Sequence, residues 1–157
     1  MASPQAAARA LNLTEGLGDE HRRLRQVLDD LLRAAGEAKL EAAATSFAAL
    51  RRGLERIIAV KDEMVFPVFE ERTGMRDSGP TITMRREHRE IERRLGIIGD
   101  ALSRQDPAAV VAQATELGAL LDDHGQREED ALYPTCDRLL GARERARVLR
   151  AAGHKRR

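Results

Sequence analysis

The chain repeats itself at an offset of 67 residues, and one copy of the repeat has lost its chemistry. Residues 54–67 read against residues 121–134, and each segment ends in an aromatic residue followed by proline, Phe66-Pro67 and Tyr133-Pro134. The same offset carries Glu20-His21-Arg22 onto Glu87-His88-Arg89. Each half therefore offers three corresponding positions. The second half fills them with His88, His124 and Glu128, the first with His21, Ile57 and Lys61. Two inward-facing copies of a His, His, Glu set would make a two-metal pocket. Here one set is complete and the other keeps a single ligand.

A repeat of this kind needs a framework, and the apolar spacing supplies one. A first helix is expected over 14–35, with Leu17, Leu24, Val27, Leu28, Leu31 and Leu32 at helical intervals and Gly36 as its cap. A second is expected over 39–71, carrying Phe47, Leu50, Leu54, Ile57, Ile58, Met64 and Val65. Gly and Pro clusters near 73–80 break the chain, and Pro80 suits the first turn of a third helix running to 102. Asp106-Pro107 opens a fourth helix that runs to 140, and a short fifth piece follows Gly141. Pro67 and Pro134 fall inside the long helices, and each should bend or locally open its helix. Short connections imply antiparallel neighbours. The expected fold is all-α, an up-down-up-down four-helix bundle with a short C-terminal helix. Residues 1–13 are expected to be disordered or loosely attached, 14–140 to form the bundle, and 141–157 to be a short helix and a fraying basic tail.

Composition agrees and narrows the function classes. The chain has 157 residues, enough for one domain with a real core, and only three Phe, one Tyr and no Trp. A net charge of +1 gives no general bias towards nucleic acid. No segment approaches the ~20 apolar residues of a membrane span, so neither nucleic acid nor membrane is expected as a partner. The single cysteine, Cys136, excludes an intrachain disulfide and reads as a small buried apolar residue. Its rarity suits a reducing cytoplasm, which is the expected location.

The chemistry then rests on few side chains. His124 and Glu128 are four residues apart and share a helix face, and His88 and Glu92 have the same spacing. Imidazole nitrogen and carboxylate oxygen together suit iron, zinc or manganese. A lone histidine is more often a packed or surface residue than a ligand, and His154, in the basic tail, is given no role. His21, His88 and His124 differ, because all three fit one repeat on separate helices.

These residues resemble the hemerythrin-like, or His-His-Glu cation-binding, family. The resemblance covers about 14–140. It is carried by Glu20-His21, Val65-Phe66-Pro67, Arg86-Glu87-His88, and His124 with Glu128 followed by Leu132-Tyr133-Pro134. It implies a four-helix bundle with a non-heme di-iron centre, and His21, His88, His124 and Glu128 as metal ligands. It also implies binding of O2, sensing of oxygen or iron, or handling of NO. The chain departs from the family in the second helix. Histidine is expected where Ile57 stands, and a bridging carboxylate where Lys61 stands. Isoleucine cannot bind a metal, and the ammonium of Lys61 only donates hydrogen bonds.

The expectation is a pocket converted from two metals to one, with iron first and zinc as the alternative. The metal site residues are His21, His88, Glu92, His124 and Glu128, and Lys61 replaces the second cation beside Glu128. Two alternatives stand. One is a metal-free helical scaffold with an unidentified protein partner. The other is a mononuclear iron enzyme using Lys61 as base or nucleophile.

Overall fold

The computed structural model describes residues 12–154. The expected disorder of 1–11 and fraying of 155–157 lie outside the described residues. Among the described residues seven α-helices follow one another: α1 (Leu13–Gly36), α2 (Leu40–Val60), α3 (Phe66–Thr73), α4 (Pro80–Ser103), α5 (Pro107–Arg127), α6 (Tyr133–Leu139) and α7 (Ala142–Ala151). Two π-helical turns join them, Lys61–Val65 between α2 and α3 and Glu128–Leu132 between α5 and α6. The chain is thus an all-α four-helix bundle in which the second and fourth rods each change pitch once. Around the bundle, α1 packs on α2 and α5, while α4 packs on α5 and α2.

The proline defects explain the pitch changes. Pro67 has no N–H to offer, and its ring would press on the preceding turn of a regular α-helix. The helix widens instead, and the Phe66 N–H reaches back to the Lys61 carbonyl. The same happens before Pro134, where the Tyr133 N–H reaches the Glu128 carbonyl. Each proline then sits in the first turn of the next α-helix, where its missing donor costs nothing.

The helix starts follow the sequence. Asn12 accepts from the Thr14 N–H, and Asp106 accepts from the Ala109 N–H ahead of Pro107. The end of α1 differs from expectation. Gly36 is its last helical residue, and the left-handed residue is Ala38, at φ 54°. Its counterpart Gln105 has the same φ, 54°. The backbone bonds match as well: Lys39 N–H to Ala34 carbonyl in one turn, Asp106 N–H to Ala101 carbonyl in the other. The duplication therefore reaches the backbone of both turns.

The core is a seam of aliphatic side chains, among them Leu17, Leu24, Leu28, Leu31, Leu50, Leu54, Ile91, Leu95, Ile98, Leu117 and Leu121. Val27, Leu32 and Met64 are only partly buried at its edge. The segment after Gly141 forms a short helix that docks on the bundle. Helix α7 buries Val148 and Leu149, with Ala152 just beyond it, and Leu149 lies against Gly16 of α1. No helix among the described residues is long and apolar enough to cross a membrane.

Candidate metal centre

Lys61 and Glu128 are the first residues of the two π turns. A π turn rotates the following side chains relative to a regular helix, and such turns recur at functional sites. Both side chains are directed into the bundle. The Lys61 ammonium donates to Glu128 Oε1 at 2.8 Å, with the two side chains 5% and 1% exposed. Burial works against the charge of Glu128, but Lys61 and His124 outweigh it and hold the carboxyl well below the usual carboxylate range.

His124 sits one turn before Glu128, with its Nε2 3.1 Å from Glu128 Oε1. His88 comes in from α4, its ring 4.9 Å from that of His124 between centroids. Ligating atoms of His88, His124 and Glu128 all lie within 4.8 Å of one another. Phe66 stacks on His88 at 5.6 Å and closes its far side.

Two carboxylates orient the imidazoles. His88 Nδ1 bonds Asp62 Oδ1 at 2.7 Å, and His124 Nδ1 bonds Glu87 Oε2 at 2.6 Å. A carboxylate only accepts, so each Nδ1 carries a hydrogen and each Nε2 is turned towards the cluster. Asp62 is itself held by Arg89 at 2.6 Å, and Glu87 by Arg127 at 2.5 Å. Burial lowers the His88 pKa to about 4 against the pull of Asp62, so the ring is neutral at pH 7. Three buried atoms make no hydrogen bond of good geometry, His88 Nε2, His124 Nε2 and Glu128 Oε2, although His124 Nε2 lies 3.1 Å from Glu128 Oε1. Orphaned polar atoms of this kind are rare in folded proteins and call for a cause. Two nitrogens and one carboxylate oxygen suit a divalent cation such as iron or zinc, and the carboxylate behind each imidazole is the usual support of a metal-bound histidine.

The first half does not reproduce this. Ile57 is buried and apolar, 5% exposed. Glu20, the counterpart of Glu87, has no imidazole at the related position and pairs with Arg23 at 3.0 Å. His21 is half-buried at the edge of the cluster, and it has no carboxylate behind its Nδ1 among the described residues. Burial and the Lys61 charge lower its pKa. It lines an open cleft of about 280 Å³ with Arg25, Asp122, Gly125 and Glu129.

Glu92 is not brought to the cluster. Its side chain is 41% exposed and pairs with Arg89 at 3.2 Å. The buried seam of α4 runs Met84, His88, Ile91, Leu95, Ile98. The step after His88 is three residues, so Glu92 falls on the flank. From His124, near the end of α5, a step of four reaches Glu128 at the start of the π turn, and it lands inside. Asp62 and Glu87 are the site residues that local spacing missed. The repeat held a signal for Glu87, since Glu precedes His in both halves.

Cys136 is buried, and burial pushes its thiol up to about 12, which leaves it inert. Tyr133 is buried beside Glu128, and burial, the Glu128 charge and a hydrogen bond to that carboxylate keep its hydroxyl protonated.

The family model for the hemerythrin HHE cation-binding domain matches residues 12–136. The chain belongs to this family. The same model matches again over 79–154, beginning 67 residues after the first match begins. That is the spacing of the internal repeat. No curated protein and no solved structure matches the chain significantly. This hemerythrin-like domain thus has the family's helical bundle and a buried His, His, Glu group able to hold a cation.

Proposed function

We propose that this hemerythrin-like domain binds one metal ion, iron first and zinc as the alternative, through His88, His124 and Glu128. Lys61 takes the electrostatic place of a second cation. The observation that carries this reading is the set of three unpartnered donor atoms, His88 Nε2, His124 Nε2 and Glu128 Oε2. Leaving each buried without a partner costs about 1–3 kcal/mol, and one cation satisfies all three. A second cation would have Ile57 and Lys61 where it needs ligands, which supports a stoichiometry of one. An ion with three protein ligands keeps an open coordination position, and when bound it supplies Lewis acidity or, as iron, redox chemistry there. A small molecule such as O2 or NO is the ligand class this position suits, so the role is binding or sensing.

The Lys61–Glu128 pair at 2.8 Å favours a second reading, a metal-free scaffold whose buried carboxylate is already compensated. Elemental analysis separates the two. Protein purified without added metal and then gently loaded with iron(II) or zinc(II) should hold one ion per chain. A ratio of two would defeat the role given to Lys61. A ratio of zero would leave the scaffold.

A further inference from the structure

The three donor atoms are sealed. His88 is 0% exposed, His124 2% and Glu128 1%. A cation reaching them must pass some side chain that moves. On one side His88 is covered by the stacked Phe66 ring, itself 0% exposed. The other side is built differently. Gly125 stands where the repeat places Ile58, which is 3% exposed. With no side chain at 125, the His21 ring lies directly on the backbone, and an added Cβ would stand 2.6 Å from His21 Cε1. Outside that ring the cleft opens to solvent between two ion-paired walls, Arg25 with Asp122 and Arg22 with Glu129. Gly125, on which the ring lies, is the residue next to His124, so His21 stands at the border of the sealed cluster. His21 is therefore a single half-buried ring between open solvent and the sealed cluster.

We propose that His21 is a gate rather than a ligand. Its ring turns over Gly125 and admits a divalent cation from the cleft to His88, His124 and Glu128. The inference rests on the one-metal reading above. Gly125 is the residue that makes the motion feasible, because any side chain there would occupy the space through which the ring swings. The walls carry both signs, with Asp122 held by Arg25 at 2.9 Å and Glu129 near Arg22 at 3.5 Å, so the cleft gives passage to the gate without a field of one sign. The loss of the first-half metal frees His21 for this role: a ring bound to a metal could not swing.

The test is a rate. Zinc(II)-loaded protein is mixed with excess chelator and extraction is followed by absorbance. His21→Ala should release zinc about tenfold faster, since local opening no longer limits access, with one zinc still bound per chain at equilibrium. Gly125→Ala should slow both uptake and release. The metal-free protein gives a second readout, the deuterium exchange of the imidazole Cε1 hydrogens of His88 and His124, which should accelerate in His21→Ala. An unchanged extraction rate, within about twofold, would place the route elsewhere and overturn the gate. Loss of zinc stoichiometry in His21→Ala would make His21 a ligand and overturn it too. A wild-type chain that takes up no zinc would sink the metal reading, and the exchange rates would still decide whether His21 closes the cluster.

Discussion

Lys61 and Glu128 occupy equivalent positions in the two halves, each opens a π turn, and their side chains meet at 2.8 Å inside the bundle. A two-fold-related pair that would carry like charges in a symmetrical pocket carries opposite charges here. The exchange turns a repulsion that a second cation would have to bridge into an ion pair that needs none. Its worth lies in what happens when one partner goes. A buried pair is weak evidence of stability, but a buried charge left alone is costly.

Lys61→Met should therefore destabilise the metal-free protein by about 3–5 kcal/mol, the cost of stranding a buried charge, or force Glu128 to take up a proton. Urea unfolding at pH 7 measures the loss. Zinc(II) should restore most of it, because the ion compensates Glu128 in place of the ammonium. A deficit unchanged by zinc would mean that no cation reaches Glu128.

Acid should unfold the metal-free protein early. His88 has its pKa lowered to about 4, mainly by burial, whereas the unfolded ring titrates at 6.5. Between those values the unfolded state binds the proton and the folded state refuses it, so stability falls as pH falls. The loss from pH 7 to pH 5 should be about 2 kcal/mol from this ring alone. Below pH 4.5 Glu128, whose pKa is also lowered, adds to the loss as its unfolded form protonates. Urea midpoints for wild type and His88→Leu across pH 7 to 5 check this, and the variant's curve should be the flatter one.

Much of this was legible in the sequence because the repeat samples each feature twice. The helices, the defects before Pro67 and Pro134, and the pairing of Lys61 with Glu128 all follow from apolar spacing and one offset. What escaped was set by contacts between helices. Asp62 and Glu87 reach histidines on other helices, 26 and 37 residues away in the chain. Glu92 obeys the same i,i+4 rule as Glu128, yet the seam of α4 steps by three after His88 and leaves it outside. The two turns escaped because neither left-handed residue is a glycine.

That last miss yields a stability prediction. Ala38 and Gln105 both hold φ 54°, where a side chain costs about 1 kcal/mol or more and glycine costs little. Ala38→Gly and Gln105→Gly should each raise the melting temperature by about 2–4 °C. The turns share no partners, so the double variant should show the sum. A fall in either single variant would show that the glycine's extra freedom in the unfolded chain outweighs the relief of strain.

The deepest prediction concerns Glu20. In the complete half Glu87 holds the Nδ1 of His124 at 2.6 Å. Glu20 stands at the related position, 7% exposed, with Ile57 in place of the imidazole it would hold. Its partners are Arg23 at 3.0 Å and, more distantly, His154 at 3.9 Å. Glu20 thus stands where a support for an imidazole would stand, with no imidazole to hold. Ile57→His with Lys61→Glu should then raise the metal content from one ion per chain to two, because His21 and Glu20 are already in place. Adding Glu20→Gln to that pair should weaken the second ion by about 10–100-fold and leave the first unchanged, as expected for a group that orients a ligand. Titration with zinc(II) against a competing chelator resolves the two sites. Two ions of unaltered affinity after Glu20→Gln would deny Glu20 this role, and an unfolded Ile57→His variant would show that the core has closed around the isoleucine.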